Sequence, residues 1–174
     1  MALVIRTPEL GDADALGRVH VRAWQAAYSG GLMPDEYLDL LSETDRASMW
    51  RNSLETPPRA KTTRLVATVD DEVAGFALVG PAGDDPDADI GELYAINVDP
   101  DHSGAGVGPA LIDAAVEALR ESGFASAVLW VHPDNQRARS FYAGRGWTDD
   151  SADRQQEVLG VPVPETRLSL TLGA

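Results

Sequence analysis

The pattern of apolar and polar residues predicts one α/β domain, a central sheet covered by helices on both faces. Three observations lead there. Short β-rich runs are mixed with stretches of helical periodicity along the chain. The 174 residues, 44% of them hydrophobic, suffice for one core and are too few for two comfortable ones. No repeat, low-complexity tract or interdomain linker divides the sequence, so residues 1–174 form one unit.

In chain order, "LVIRT" (3–7) is a short strand. Asp12 is placed to cap a helix over 13–28, in which Leu16, Val19, Ala23 and Ala27 form one stripe and His20, Trp24 and Tyr28 a second beside it. "SGGLMP" breaks that helix, Pro34 suits the first turn of a short one through Leu41, and Ser42 with Asp45 starts another that carries Trp50. "TPPRAK" ends the helical region. From Arg64, "RLVATV" and "EVAGFALVG" are β-rich runs joined at Asp70 and Asp71, which predicts a hairpin. "PAGDDPDAD" (81–89) is a polar loop; its four Asp read as a cation site or, as charge runs usually do, as a solvated turn. "IGELYAINV" (90–98) is a third strand, Val107 to Ser122 a helix, "SAVLWV" (126–131) a strand and Asn135 to Gly144 a helix. "TRLSLTL" (166–172) alternates cleanly as a last strand.

Composition narrows the function. The 28 acidic against 14 basic residues, a net charge of -14, argue against a nucleic-acid surface, which needs clustered positive charge. A cationic or amine-bearing small molecule is the easier partner. No apolar run approaches the roughly 20 residues of a membrane span, and "MALVIRTPELGD" lacks a signal peptide's basic and apolar regions. The expected location is cytoplasmic, with neither membrane nor nucleic acid as partner. The absence of Cys removes disulfides, Cys-ligated zinc and a thiol nucleophile, and three isolated histidines add no metal cluster.

"DPDHSGAGVGPAL" (99–111) stands between a strand and a helix, where successive backbone N–H groups can surround a phosphate and the helix dipole favours an anion. No Lys-Ser or Lys-Thr follows the glycines, so this is not a Walker loop. The spacing of Gly104, Gly106 and Gly108 and the loop's late position fit a dinucleotide-binding turn poorly, which disfavours a nucleotide-dependent oxidoreductase. A tight connection without a ligand is the plain alternative.

"LYAINVDPDHSGAGVGPALIDAAVEAL" followed by "NQRARSFYAGRGW" resembles the two signature segments of the Gcn5-related N-acetyltransferase (GNAT) superfamily. The resemblance covers about residues 64–148, and "HVRAWQAAYSGGLMPDEYLDLLS" is similar to the helical substrate-side region of many bacterial members. It implies a mixed, mostly antiparallel twisted sheet with a splayed coenzyme-binding cleft, and transfer of an acetyl group from acetyl-CoA to a primary amine. The acceptor would be a small molecule or a protein amine. Members frequently dimerise, so a homodimer is an expectation without a defined interface. The family's loop carries Gln or Arg where this chain has Ser103, and often a second Arg where it has Ala105, while Pro109 contributes no N–H. Backbone donors remain at Gly104, Ala105, Gly106, Val107 and Gly108. Losing one side-chain contact worth about 1.5–3 kcal/mol weakens an anion site without abolishing it. Arg137, Arg139 and Arg145, on or beside the later helix, could offset the phosphate charge or be solvated surface residues; Asn135, Arg139 and Tyr142 share one helical face. A non-catalytic acyl-CoA-binding module with a drifted loop is the alternative function.

Acyl transfer to an amine needs a neutral nucleophile, a donor to the developing oxyanion and a proton for the leaving thiolate. By the resemblance, the backbone of Ile96, Asn97 and Val98 would pair with the coenzyme's pantetheine where the strand splays at a bulge, and Tyr142 would protonate the thiolate. Read without the family, Tyr142 is a core aromatic beside Phe141. Glu92 is the leading base, on the same face as Ile96 and Val98 if the strand is unbroken; the bulge would change that phase. His132 and water are its rivals. Trp24, Tyr28, Trp130 and His132 are the candidates for the acceptor pocket, with His20 beside them, though an aromatic stripe also reads as core.

Overall fold

A computed structural model describes residues 1–83 and 88–173. The chain begins with β1 (Leu3–Arg6), then runs through α1 (Ala13–Tyr28), α2 (Asp35–Leu40) and α3 (Glu43–Glu55). Next come β2 (Thr63–Val69), β3 (Glu72–Pro81), β4 (Ile90–Val98), α4 (Val107–Glu121) and β5 (Ser126–Val131). The helix α5 (Gln136–Ala143) and the long strands β6 (Thr148–Val158) and β7 (Val161–Thr171) complete it. The seven strands form one sheet in the order β1-β2-β3-β4-β5-β7-β6. Every neighbouring pair is antiparallel except β4 and β5, as the resemblance implied.

Local chemistry accounts for most boundaries. Ser42 caps α3, its hydroxyl accepting the Asp45 N–H at 3.2 Å. Asp70 and Asp71 take φ of 50° and 68°, the paired left-handed geometry that matches a tight hairpin to strand twist. Asp12 precedes α1 without capping it: its carboxylate accepts Arg6 Nη1 at 2.8 Å and the Glu9 N–H at 2.7 Å instead. Gly17 lets α1 and α3 cross at backbone contact, since a Cβ there would lie 2.5 Å from the Ala47 nitrogen.

The sheet divides the core. On one face α4 buries Val107, Leu111, Ile112 and Leu119 against Ala77 and Leu93. On the other, Leu16 and Val19 of α1 and Trp50 of α3 cover Val66 and Phe76, with the Trp50 and Phe76 rings edge to face at 4.8 Å. Each such buried side chain contributes about 1.5–3 kcal/mol. A third cluster joins Met33 and Leu38 to Val163 of β7, with Trp24, Tyr28 and Tyr37 packed on it. Two strands depart from expectation. β6 has no counterpart in the apolar pattern, because nearly all of its residues are exposed. β7 starts at Val161, five residues before the alternating stretch, through Pro162 and Pro164. Of the polar loop's four Asp, Asp84, Asp85 and Asp87 lie outside the described residues. Among the described residues no helix is long and apolar enough to cross a membrane.

Candidate active site

The site begins where two strands part. The parallel pairing of β4 with β5 consists of Ile90 with Ser126, Gly91 with Ala127 and Glu92 with Val128, and then stops. On its other side β4 stays paired with β3 to Val98, but the register shifts between Leu78 and Val79, leaving Tyr94 as the extra residue of a bulge. Asp99 donates its N–H to the Ala74 carbonyl across that side at 2.8 Å. Alternation along β4 therefore turns the N–H and C=O of Val98 and Ile96 away from β3, to the edge β5 has abandoned, while those of Asn97 face β3.

A cleft of about 700 Å³ opens there. Its walls are Ala23, Ala26 and Ala27 of α1, Ile96, Asn97 and Val98 of β4, the loop from Pro100 to Pro109 apart from Asp101 and Ala105, and Asn135, Arg137, Ala138, Phe141 and Tyr142. Gly104 and Gly106 take φ of 81° and 83°, a conformation other residues adopt at a cost, and this folds the loop into the start of α4. The Ser103 N–H is spent on the Pro100 carbonyl and the Ala105 N–H on that of His102, both at 3.2 Å. The donor of Ala105, expected to bind the coenzyme, is thus used inside the turn, and its methyl packs on the α4 core rather than facing the cleft. The N–H groups of Gly104, Gly106, Val107 and Gly108 have no acceptor among the described residues, and α4 begins behind them. Converging free donors at a helix start suit an anion.

The three candidate arginines separate clearly. Arg137 reaches the loop, its Nη2 donating to the Ser103 hydroxyl at 2.9 Å. Arg139, expected to bind the coenzyme, does not line the cleft; it donates to the Pro133 carbonyl at 2.9 Å and pairs with Asp149 at 3.4 Å. Arg145 pairs with Asp113 at 2.7 Å. Asn135 caps α5 with its Oδ1, at 3.2 Å from the Ala138 nitrogen, and keeps a place on the cleft wall. Beside the loop, Arg22 bridges the buried Asp99 at 3.3 Å and the exposed Asp101 at 2.7 Å.

Tyr142 is buried, packed between Phe141 and Trp147 at ring distances of 5.4 and 6.2 Å, and still borders the cleft. Burial, with nearby Tyr28 adding to it, pushes its phenol well above the ordinary tyrosine range. The phenol is therefore in its protonated, donor form at neutral pH. Glu92 is the last β4 residue paired to β5. A Cβ on Gly91 would meet Leu119 and Phe124, and Leu93 lies in the α4 core, so the side chain between them projects from the opposite face. The bulge at Tyr94 then reverses the phase: Ile96 and Val98 pack toward α4, and the shared face of Glu92, Ile96 and Val98 expected of an unbroken strand does not form. Burial raises the Glu92 carboxyl; Arg154 opposes that and Glu165 reinforces it.

The expected acceptor residues are not on the cleft wall. Trp24 and Tyr28 pack against each other at 4.9 Å within the third cluster. Two arginines lie over the Trp130 ring, Arg154 at 4.2 Å and Arg167 at 5.7 Å. His132 is buried, and its Nδ1 accepts the Asp134 N–H at 3.1 Å, which occupies the lone pair a base would need. His20 sits between Trp24 and Phe76, where burial lowers its pKa to about 4. Sequence reasoning missed the small-residue wall of α1, Phe141 and His102. In sequence Ala23 and Ala27 belong to a helical packing stripe, and small size is a signal for a cleft only once the opposite wall is known.

The sequence profile of the acetyltransferase (GNAT) family matches residues 21–147. The uncharacterized N-acetyltransferase YuaI of Bacillus subtilis is 28% identical over 169 residues, 95% of this chain and 91% of that protein. The mycothiol acetyltransferase of Beutenbergia cavernae is 40% identical over 77 residues, 44% of this chain and 25% of that longer one. Among solved structures, the PaiA N-acetyltransferase of Thermoplasma acidophilum in complex with coenzyme A superposes with a TM-score of 0.75 at 20% identity, covering 98% of this chain and 99% of that one.

Proposed function

This chain belongs to the acetyltransferase (GNAT) family and is an N-acetyltransferase, and we propose that it passes the acetyl group of acetyl-CoA directly to a primary amine. The observation that carries the reading is the free edge of β4 at Ile96 and Val98, on the same cleft as four unpaired loop N–H groups and a protonated phenol. These groups fit an extended, amide-bearing and phosphorylated coenzyme: strand-like donors and acceptors for the amides, convergent N–H groups for the phosphates. Bound acetyl-CoA would supply an activated acyl carbon and a thiolate leaving group.

The residues divide the work. Loop N–H groups and the start of α4 hold the anionic end, with Ser103 and Asn135 at the rim. The β4 edge orients the thioester arm and offers an N–H to its carbonyl oxygen. Tyr142 keeps a proton on its phenol oxygen and delivers it to the departing sulfur. Glu92, its carboxyl raised by burial, takes the ammonium proton from the acceptor directly or through water. With no Cys in the chain, no Cys-linked acetyl-enzyme can form, and attack by the amine itself is the route. The acceptor is a cationic amine, a reading supported by the chain's acidity and by Glu92 lying near Glu165. The test is thiol release from acetyl-CoA with a panel of primary amines, the acylated product identified by mass. Amine-dependent release is expected. Coenzyme binding with no release for any amine would reject amine transfer and favour a binding module.

A further inference from the structure

We infer that Arg137 replaces the loop side chain this sequence lacks and pairs with the coenzyme's pyrophosphate, an assignment that rests on the acetyl-CoA reading above. The loop holds no Lys or Arg, and the chain carries a net charge of -14. Backbone N–H groups supply partial charge only, so a doubly charged pyrophosphate is held more tightly where a full cation joins them. Three arginines were in range by sequence, and two are consumed: Arg139 by Asp149 and the Pro133 carbonyl, Arg145 by Asp113. Arg137 has no carboxylate partner among the described residues. It lines the cleft, and its guanidinium rests on the hydroxyl of Ser103, the residue just before the first unpaired loop N–H.

That resting place is what makes the exchange favourable. A neutral hydroxyl gives a guanidinium one ordinary hydrogen bond, whereas phosphate offers charge and a bidentate fit. Moving from Ser103 to a bound pyrophosphate therefore gives up little and gains an ion pair. The neighbouring acids do not cancel it, because Asp99 and Asp101 are already bridged by Arg22. Ser103 then has a positive role: it is short enough to leave the space and polar enough to hold the guanidinium over the loop.

Calorimetric titration with CoA and with dephospho-CoA, which keeps the pyrophosphate and lacks the 3′-phosphate, tests this. The proteins are the parent, Arg137→Ala, Arg137→Lys and Arg145→Ala. Arg137 is exposed, so each variant should melt with the parent. The expected result is about tenfold weaker binding of both ligands by Arg137→Ala, partial recovery by Lys and no change for Arg145→Ala. The parent should also lose affinity more steeply with added salt than Arg137→Ala. Equal affinity of parent and Arg137→Ala would overturn the assignment. A loss seen with CoA and absent with dephospho-CoA would overturn it too, placing the arginine at the 3′-phosphate. A parent that binds neither ligand would bring down the acetyl-CoA reading itself, a result distinct from both.

Discussion

At the loop end of the cleft a ligand meets main chain: the N–H groups of Gly104, Gly106, Val107 and Gly108, then the free edge of β4. Toward the β4–β5 junction titratable side chains stand instead, Tyr142 on the cleft wall and Glu92 off that wall, on the other sheet face near Arg154 and Glu165. The first region depends on backbone conformation and tolerates changes of side chain. The second depends on proton affinity and tolerates little. Substitutions should accordingly divide into those that change coenzyme affinity and those that change turnover.

The largest expected effect is that of Tyr142→Phe, which removes the proton and keeps the ring between Phe141 and Trp147. Turnover should fall about a hundredfold while CoA affinity stays within about twofold. A parallel loss of affinity would show that the two regions are not separable. Glu92→Gln should cost about tenfold or more, and its pH profile sharpens the point. A base works only when ionised, and burial raises this carboxyl, so parent kcat/KM should fall with decreasing pH at values above the ordinary carboxylate range near 4.3. The variant should lack that limb; an unchanged profile would transfer the role to another group. Gly106→Val tests the main-chain end. No atom lies within 4 Å of the added Cβ, so the cost comes from φ of 83° alone, about 1–2 kcal/mol, or roughly tenfold in CoA affinity with saturated turnover kept.

The smallest effect concerns stability. His20 has a folded pKa of about 4, below its unfolded value. Its contribution is therefore complete above about pH 6.5 and declines as pH falls toward 4, because the unfolded chain then binds the extra proton. Discounted for partial exposure, this amounts to about 1–2 kcal/mol by pH 5. Denaturant unfolding of His20→Phe should show that much less loss between pH 7 and pH 5, with coenzyme affinity unchanged.

The main-chain end was legible because its signals are local. Gly104 and Gly106 announce left-handed turns, β4 and β5 are short β-rich runs, and Asp70 and Asp71 mark a hairpin. What stayed hidden depends on partners distant in sequence. Nothing in "TDDSADRQQEV" favours a strand except the β7 edge it pairs with, and Pro162 and Pro164 disguise where β7 begins. The face of Glu92 turns on one bulge residue, Tyr94, whose presence is set by register with β3. The use of the Ala105 N–H, and the choice of Arg137 over Arg139, follow from which carbonyls and carboxylates the fold brings near.

The short β4–β5 pairing has a mechanical consequence. Among the described residues, three ladder pairs and the Ala125 N–H donated to the Asp89 carbonyl at 2.9 Å tie the half-sheet β1–β4 to the half formed by β5, β7 and β6, and the α4 core adds to the seam's cohesion. A ligand lying along the open edge acts as a temporary eighth strand. The amides of Ile96 and Val98 should then exchange with deuterium quickly in the free protein and slowly once the gap is filled. At a hundred times its Kd the ligand adds about 2.7 kcal/mol to global stability. The added protection should be concentrated along the seam, so that binding the coenzyme also completes the sheet.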